Sequence, residues 1–282
     1  MTRSKALVSL LKAPLRWLMD VPAVRNRVVF DLRQRHEADL AAVVPLSHGL
    51  SCPVFSAEHW YSFSEIFLQG EYDSVLERIP PPARWLDLGC HAGYFSLHLA
   101  WQLRRRGLGS RVEALLVDAD GRMKEPVKRM LAANQLNAAM RFAHGAIAQG
   151  AGETSFAQRS HMSSSLLSAE SVGAQTAARV PLLDEESLMR LLPPPYDLVK
   201  LDIEGGEAGF LSAYPSILSA TRSLLMEWHS WHSGGGGAER LRELARERGF
   251  DAQVEISPAR SVESPAGGSC GVWLLSRSSA PA

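Results

Sequence analysis

From Arg84 onward, short apolar runs alternate along the chain with segments whose apolar residues recur every three or four positions. The first kind, Trp85–Leu88, Val112–Asp118, Met140–Ile147, Asp197–Asp202 and Arg222–Glu227, predicts strands. Consecutive apolar residues such as Leu115-Leu116-Val117 suit strands buried on both faces. The second kind, Tyr94–Arg104, Arg122–Leu136, Glu185–Leu192, Glu207–Leu218 and Ala238–Arg248, predicts helices; Met123, Val127, Met130 and Leu131 form one such stripe. Ala252–Ile256 and Val272–Leu275 follow as two strands joined through Ser257–Gly268, with no long helix between them. Strands alternating with helices specify a parallel sheet covered on both faces. The expected fold is α/β: a Rossmann-like, doubly wound sheet of seven strands whose last strand runs antiparallel.

The pattern breaks in several places. Residues 148–179 are rich in Gly, Ser, Ala and Gln, include Ser163-Ser164-Ser165, and read as an insertion with a short hairpin around Thr154–Ala157. Insertions of that length inside a compact domain are usually functional or mobile. Gly234–Gly237 reads as a flexible connector. Ahead of the sheet, Phe63–Tyr72 mixes aromatics with acids before a helix-like Asp73–Arg78, and Pro80-Pro81-Pro82 closes that lead-in. Near the start, Leu7, Leu10, Leu11, Leu15 and Leu18 recur at helical spacing among Arg and Lys residues, interrupted by Pro14. The organisation expected is an N-terminal helical extension over 1–60 and one domain over 61–278, with the insertion at 148–179. The basic extension is expected to pack on the domain; a weak contact with a membrane surface or a transit peptide are the other readings.

Composition narrows the function classes. Lys+Arg and Asp+Glu are equal at 30 each, so no global field draws the chain to nucleic acid. No apolar run approaches the roughly 20 residues that cross a bilayer. Cys52, Cys90 and Cys270 are too few and too scattered for a disulfide framework or a zinc site, and a cytoplasmic location is expected.

The candidate chemistry begins where the first strand ends, at Asp87-Leu-Gly-Cys-His-Ala-Gly93. Glycines at 89 and 93 let the backbone turn sharply and approach a ligand. A nicotinamide or flavin site would show Gly-x-Gly-x-x-Gly, and a triphosphate site Gly-Lys-Ser/Thr; neither is present. The Gly-x-x-x-Gly spacing after an acid fits S-adenosyl-L-methionine, which has no pyrophosphate to cradle. Asp118, at the end of the next strand, sits where an acid can accept both ribose hydroxyls. The expected cofactor contacts are Asp87, Gly89, Cys90, His91, Gly93, Tyr94, Phe95, Asp118, Ala119, Gly145, Ala146 and Asp202. Tyr94, Phe95 or Trp228 could wall the bound sulfonium.

A second acidic strand end, Lys200-Leu-Asp-Ile-Glu-Gly-Gly-Glu207, should lie beside the first, because ligands bind at the carboxyl ends of the strands. If the strand continues that far, Asp202 and Glu204 share one side of it. The fifth strand adds Glu227-Trp-His-Ser-Trp-His232 to the same rim. His229 is the favoured proton acceptor for a substrate hydroxyl, with Asp202 or Glu204 orienting it. Asp202, Glu204, His229 and His232 also read as metal ligands, but without a helical His-x-x-x-His spacing no metal is expected.

With these residues in place, the chain resembles the FkbM family of S-adenosylmethionine-dependent methyltransferases from about Phe63 to Leu275. Asp87-Leu-Gly-Cys-His-Ala-Gly-Tyr-Phe-Ser96 is similar to the family's Asp-x-Gly-Ala-Asn-x-Gly-Tyr-x-Ser loop, with Cys90-His91 where Ala-Asn is usual. Lys200-Leu-Asp-Ile-Glu-Gly-Gly-Glu207 is close to its Lys-x-Asp-x-Glu-Gly-x-Glu block, and Leu225-Met-Glu-Trp-His229 to a later strand ending in Glu-x-His. Val117-Asp118-Ala119 replaces the usual Glu-Pro. The resemblance implies a class I methyltransferase fold and O-methylation of a hydroxyl on a small molecule, glycan or lipid. A catalytically inactive cofactor-binding module of the same fold is the other reading.

Overall fold

The computed structural model describes residues 41–108, 111–150, 152–157, 177–230, 237–261 and 268–277. The leucine pattern near the start, Ser163-Ser164-Ser165, His232 and most of the Gly234–Gly237 connector lie outside the described residues.

The strands are β1 (Ala42–Pro45), β2 (Ser51–Val54), β3 (Arg84–Leu88), β4 (Glu113–Asp118), β5 (Met140–His144), β6 (Ala146–Ile147), β7 (Glu153–Ala157), β8 (Ala177–Leu183), β9 (Tyr196–Leu201), β10 (Thr221–His229), β11 (Ala252–Ser261) and β12 (Ser269–Ser276). The α-helices are α1 (Ala57–Phe63), α2 (Val75–Arg78), α3 (Tyr94–Arg105), α4 (Lys124–Ala133), α5 (Glu185–Leu191), α6 (Glu207–Ala213), α7 (Pro215–Ser219) and α8 (Gly237–Glu247).

The main sheet has seven strands in the order β11-β12-β10-β9-β3-β4-β5. β5, β4, β3, β9 and β10 are mutually parallel, and β12 inserts antiparallel between β10 and β11. This is the expected Rossmann-like, doubly wound seven-stranded arrangement, with its last strand antiparallel. Strand alternation separates two cores. Trp85, Leu116, Leu198 and Leu225 face α3 and α4, whereas Leu86, Leu115, Val199 and Trp228 face α5, α6, α7 and α8. Sequence order reverses between β3 and β9, the switch point at whose carboxyl ends ligands bind in sheets of this kind.

Several boundaries differ from the sequence reading for physical reasons. Residues 42–54, inside the expected helical extension, form an antiparallel hairpin. That hairpin is held down because Ser51 N–H donates to Asn134 Oδ1 (2.7 Å) and Asn134 Nδ2 donates to the Ser51 carbonyl (2.8 Å). The expected Met140–Ile147 strand divides at Gly145, since β6 leaves the main sheet to pair with β8 in a three-stranded sheet, β6-β8-β7. The strand expected near Thr154–Ala157 forms and pairs antiparallel with β8. The expected Glu207–Leu218 helix divides at Tyr214 (φ −120°, ψ 56°), because the residue before proline is disfavoured in the helical region and Pro215 lacks an N–H. Among the described residues, no helix is long and apolar enough to cross a membrane.

Candidate active site

The loop after β3 is built from left-handed residues at Gly89 (φ 76°), His91 (φ 48°) and Gly93 (φ 79°). It is stitched to both neighbouring strands. Gly89 and Cys90 N–H donate to the Val117 carbonyl (2.9 Å each), and His91 N–H donates to Asp118 Oδ2 (2.7 Å). On the other side Asp202 N–H donates to the Leu88 carbonyl (3.0 Å). A Cβ on Gly89 would lie 1.6 Å from the Asp202 carbonyl oxygen, so only glycine permits this approach of the two strand ends.

Asp87 is fully buried under the loop. Trp85 Nε1 donates to Ser96 Oγ (2.9 Å), and Ser96 Oγ donates to Asp87 Oδ2 (2.7 Å). Burial raises the Asp87 pKa, opposed by Lys200 and by the Ser96 hydrogen bond. Lys200, which the sequence reading left out of the site, is its central cation. Its Nζ donates to the Gly89 carbonyl (2.8 Å) and to Asp202 Oδ2 (2.9 Å), and lies 3.8 Å from Asp87 Oδ1. Burial alone would lower its pKa, but Asp202 and Asp87 raise it and keep it charged.

Asp118 spends both carboxylate oxygens on shaping the loop: Oδ2 accepts from His91 N–H, and Oδ1 from Asp120 N–H (2.7 Å). Burial pushes its pKa up to about 6 against those hydrogen bonds. Ala119 and Gly145 complete this side, the former accepting from His144 Nε2 (3.1 Å), the latter donating to the Asp118 carbonyl (2.9 Å). Ala146 follows, buried against Phe156 and Val180.

His91 crowns the loop. Its Nδ1 lies 3.3 Å from Ser62 Oγ, and its ring meets His59 edge-on at 5.4 Å. Burial, then the neighbouring His59 and Lys200, lower its pKa to about 3, so the imidazole is neutral. Its buried Nε2 has no hydrogen-bond partner among the described residues. The aromatic walls anticipated from the sequence do not form. Tyr94 turns inward to donate to the Pro53 carbonyl, and Phe95 packs edge-on against Tyr72. Trp228 stacks obliquely on Trp273 on the opposite face of the sheet. Each of these aromatics is buried, so Tyr94 and Phe95 shape the loop from below.

Beyond β9 the chain leaves the strand conformation at Asp202, so simple alternation does not place Glu204. Its backbone takes a left-handed turn (φ 52°), and its Oε2 comes to lie 3.6 Å from His229 Nε2. His229, the last residue of β10, is held from behind because its Nδ1 donates to Glu207 Oε1 (2.9 Å). Glu207 Oε1 also accepts Gly205 N–H (3.0 Å), which ties the turn carrying Glu204 to the same anchor. Burial works against a charged His229, yet the Glu207 hydrogen bond and charge, with Glu204 and Asp202 beyond, raise its pKa to about 10. Asp202, Glu204 and His229 each offer a ligand atom, all within 4.8 Å of one another. These three residues, named from the sequence, lie close together in the structure, Glu204 by its turn rather than by strand alternation; Glu207, whose only signal was its place in the Glu-Gly-Gly-Glu turn, was not among them.

Further carboxylates face this trio from the lead-in and from β10. Glu227 Oε1 lies 4.0 Å from His229 Nε2, while Arg260 spans Glu227 (3.5 Å) and Glu65 (3.8 Å). Burial and mutual repulsion push Glu65 up to about 7 and Glu227 up to about 8, and raise Glu71 as well. Two irregularities in β11, between Glu255 and Arg260, bring Arg260 to this wall.

No protein-family model matches the chain, and no curated protein matches it. Its structure is similar to the N-terminal domain of EvdMO1 with SAH bound, at 12% identity and TM-score 0.47, covering 89% of this chain and 96% of that one. It is also similar to an O-methyltransferase from Bacillus cereus in complex with SAH, at 12% identity and TM-score 0.43, covering 93% and 96%. A third similar structure is methyltransferase FkbM from Methylobacillus flagellatus KT, at 12% identity and TM-score 0.47, covering 92% and 60%.

Proposed function

We propose that the chain is an S-adenosylmethionine-dependent methyltransferase of the FkbM type, acting on a hydroxyl of a small molecule, glycan or lipid. The observation that carries the reading is the loop at 89–93, joined to Asp118 on one side and to Asp202 on the other. S-adenosylmethionine would supply a sulfonium-bound methyl group that an oxygen nucleophile can take. The residues present fit that ligand. The buried His91 Nε2 is an unsatisfied polar atom among the described residues, and Asp118 has lone pairs left to accept ribose hydroxyls. Gly89, Cys90, His91, Gly93 and Asp202 would hold the methionyl part, Asp118 the ribose, and Ala119, Gly145 and Ala146 the far end.

The protein's own contribution is positioning. Lys200 clamps the loop to the β9 end through Gly89 and Asp202, so the two halves of the site keep a fixed spacing. Pre-set geometry of this kind contributes on the order of 7 kcal/mol or more to a bimolecular reaction. Asp202, Glu204 and His229 orient the acceptor hydroxyl and manage its proton. Glu207 at Nδ1 fixes the His229 ring so that Nε2 faces the same point as the carboxylates of Glu204 and Asp202. Three free, buried cysteines fit a reducing cytoplasm.

Calorimetric titration with S-adenosylhomocysteine tests the cofactor, and a panel of hydroxylated metabolites and glycans, scored for release of S-adenosylhomocysteine, tests the reaction. Stoichiometric binding followed by acceptor-dependent release is expected. Absence of binding by a folded protein would overturn the reading, and binding without turnover on any acceptor would favour an inactive module.

A further inference from the structure

We propose that Asp202, Glu204 and His229 form a site for one divalent cation of the Mn²⁺ type, beside the methyl-transfer crevice. The proposal deepens the methyltransferase reading and rests on it for the cation's use, although binding of the cation stands on the geometry alone.

One carboxylate oxygen from each acid and one imidazole nitrogen lie within 4.8 Å of one another. Ligand atoms bound at about 2.1 Å to a common ion lie up to about 4.2 Å apart, so a shift of a few tenths of an ångström per side chain closes the set. The three come from separate places, the end of β9, the turn after it and the end of β10, yet converge on one point. Only side-chain rotation is needed for Glu204, whose left-handed backbone already turns it back toward His229.

A second observation concerns how the histidine is held. Metal-ligating histidines characteristically give their other ring N–H to a carboxylate, which fixes the tautomer and the ring plane. His229 does this through Nδ1 to Glu207, which is 1% exposed, and its Nε2 consequently faces Glu204 and Asp202. Glu207 also fixes the Glu204 turn through Gly205 N–H, so one buried carboxylate positions two of the three ligands. From the lead-in and from β10, Glu65, Glu71 and Glu227 crowd the same rim, with Arg260 bridging Glu65 and Glu227 and Lys200 pairing with Asp202.

The donor set selects the ion. Two carboxylates and one imidazole form a mainly oxygen site, which suits Mn²⁺ or Mg²⁺, whereas the thiolates preferred by softer ions are absent from the trio. Three protein ligands leave positions open for an acceptor oxygen. A hydroxyl bound there would lose its proton to water far more readily. The resulting alkoxide would form the new O–C bond as the methyl's bond to sulfur breaks, and the sulfonium becomes a neutral thioether.

The test uses the full-length protein, stripped with EDTA, dialysed and titrated with MnCl₂ by calorimetry and by the EPR signal of free Mn²⁺. Uptake of one equivalent is expected in the wild type and in Glu186→Gln, which alters an exposed surface pair with Arg190. Glu207→Gln should weaken it by about 10- to 100-fold, and Glu204→Gln and His229→Ala by at least as much. No uptake by the wild type at millimolar Mn²⁺, or undiminished uptake in folded Glu204→Gln, would overturn the site. Should His229→Ala fail to fold, Glu204→Gln alone decides, since Glu204 lies in a turn outside the sheet. S-adenosylhomocysteine titration in EDTA separates the two proposals: cofactor binding without Mn²⁺ uptake sinks the cation site only, and Mn²⁺ uptake without cofactor binding sinks the methyltransferase reading only.

Discussion

Gly89→Ala probes the one point where the two halves of the site touch. An added Cβ would lie 1.6 Å from the Asp202 carbonyl oxygen and 2.7 Å from its carbon, both backbone atoms that cannot rotate away. Clearing that overlap means driving the end of β9 away from β3 by more than an ångström. The Asp202 N–H to Leu88 carbonyl bond and the Lys200 to Gly89 carbonyl bond then lengthen or break. A non-glycine residue at the φ of 76° adds about 1–2 kcal/mol, and the two hydrogen bonds about 1–2 kcal/mol each, so the loss is about 3 kcal/mol or more. Gly93→Ala shares the left-handed strain, but its Cβ would meet the ends of flexible side chains, Met130 Cε at 2.5 Å and Leu116 Cδ2 at 3.0 Å. Its expected loss is about 1–2 kcal/mol.

Thermal melts of both variants, with S-adenosylhomocysteine titrations of each, measure the difference. At about 2–4 °C per kcal/mol for a chain of this size, Gly89→Ala should melt at least about 6 °C below the wild type. Its misplacement of Asp202 by roughly 1 Å should reduce turnover by about 10²-fold even below the melt. A Gly89→Ala protein melting within about 1 °C of the wild type, or Gly93→Ala proving the more damaging, would refute the packing argument.

Ser96→Ala leaves Trp85 Nε1 and Asp87 Oδ2 without their shared partner in a fully buried setting; about 2–4 kcal/mol of stability should disappear in urea titrations. Asp118 titrates near 6 rather than 3.8, so S-adenosylhomocysteine affinity should rise with pH through that window as the carboxylate forms to receive ribose hydroxyls. On its account folding stability moves the opposite way, falling between pH 3.8 and about 6, and Asp118→Asn should flatten both curves. Glu207→Gln removes the charge behind His229 and should cost about 3 kcal/mol at neutral pH in EDTA. Because the His229 pKa is raised from 6.5 to about 10, its contribution is whole below pH 6.5 and fades as pH climbs through 10, so the variant's stability should approach the wild type's at the alkaline end.

The sheet was legible because burial on both faces writes itself as uninterrupted apolar runs, and the order of strands and helices left few topologies to choose between. The cofactor loop was legible for a related reason: glycines at 89 and 93 sit where left-handed backbone is unavoidable. The hairpin at 42–54 was not, since its identity depends on Asn134, some eighty residues away, accepting and donating to Ser51. Nor did composition reveal which way Tyr94, Phe95 and Trp228 point. An aromatic beside a glycine loop can cover a ligand or fill the core, and the rotamer is decided by Pro53, Tyr72 and Trp273, none of them local.

Lys200 and Glu207 show most clearly why a site is harder to read than a fold. Each is a charged residue in a block otherwise explained by its neighbours, and each acts by holding others. Lys200 fixes the loop to the acid after β9, whereas Glu207 fixes the histidine and the turn that faces it. Burying a charge is tolerable only when partners surround it. Two buried charged residues, one near the end of β9 and one at the start of α6, therefore mark a place where the partners' geometry is tightly determined. In this chain the determined geometry belongs to Asp202 and His229, and Glu204 completes it. Lys200, bonded to the Gly89 carbonyl and to Asp202, sets the spacing between the loop and the acidic rim, so the two regions form one connected cluster.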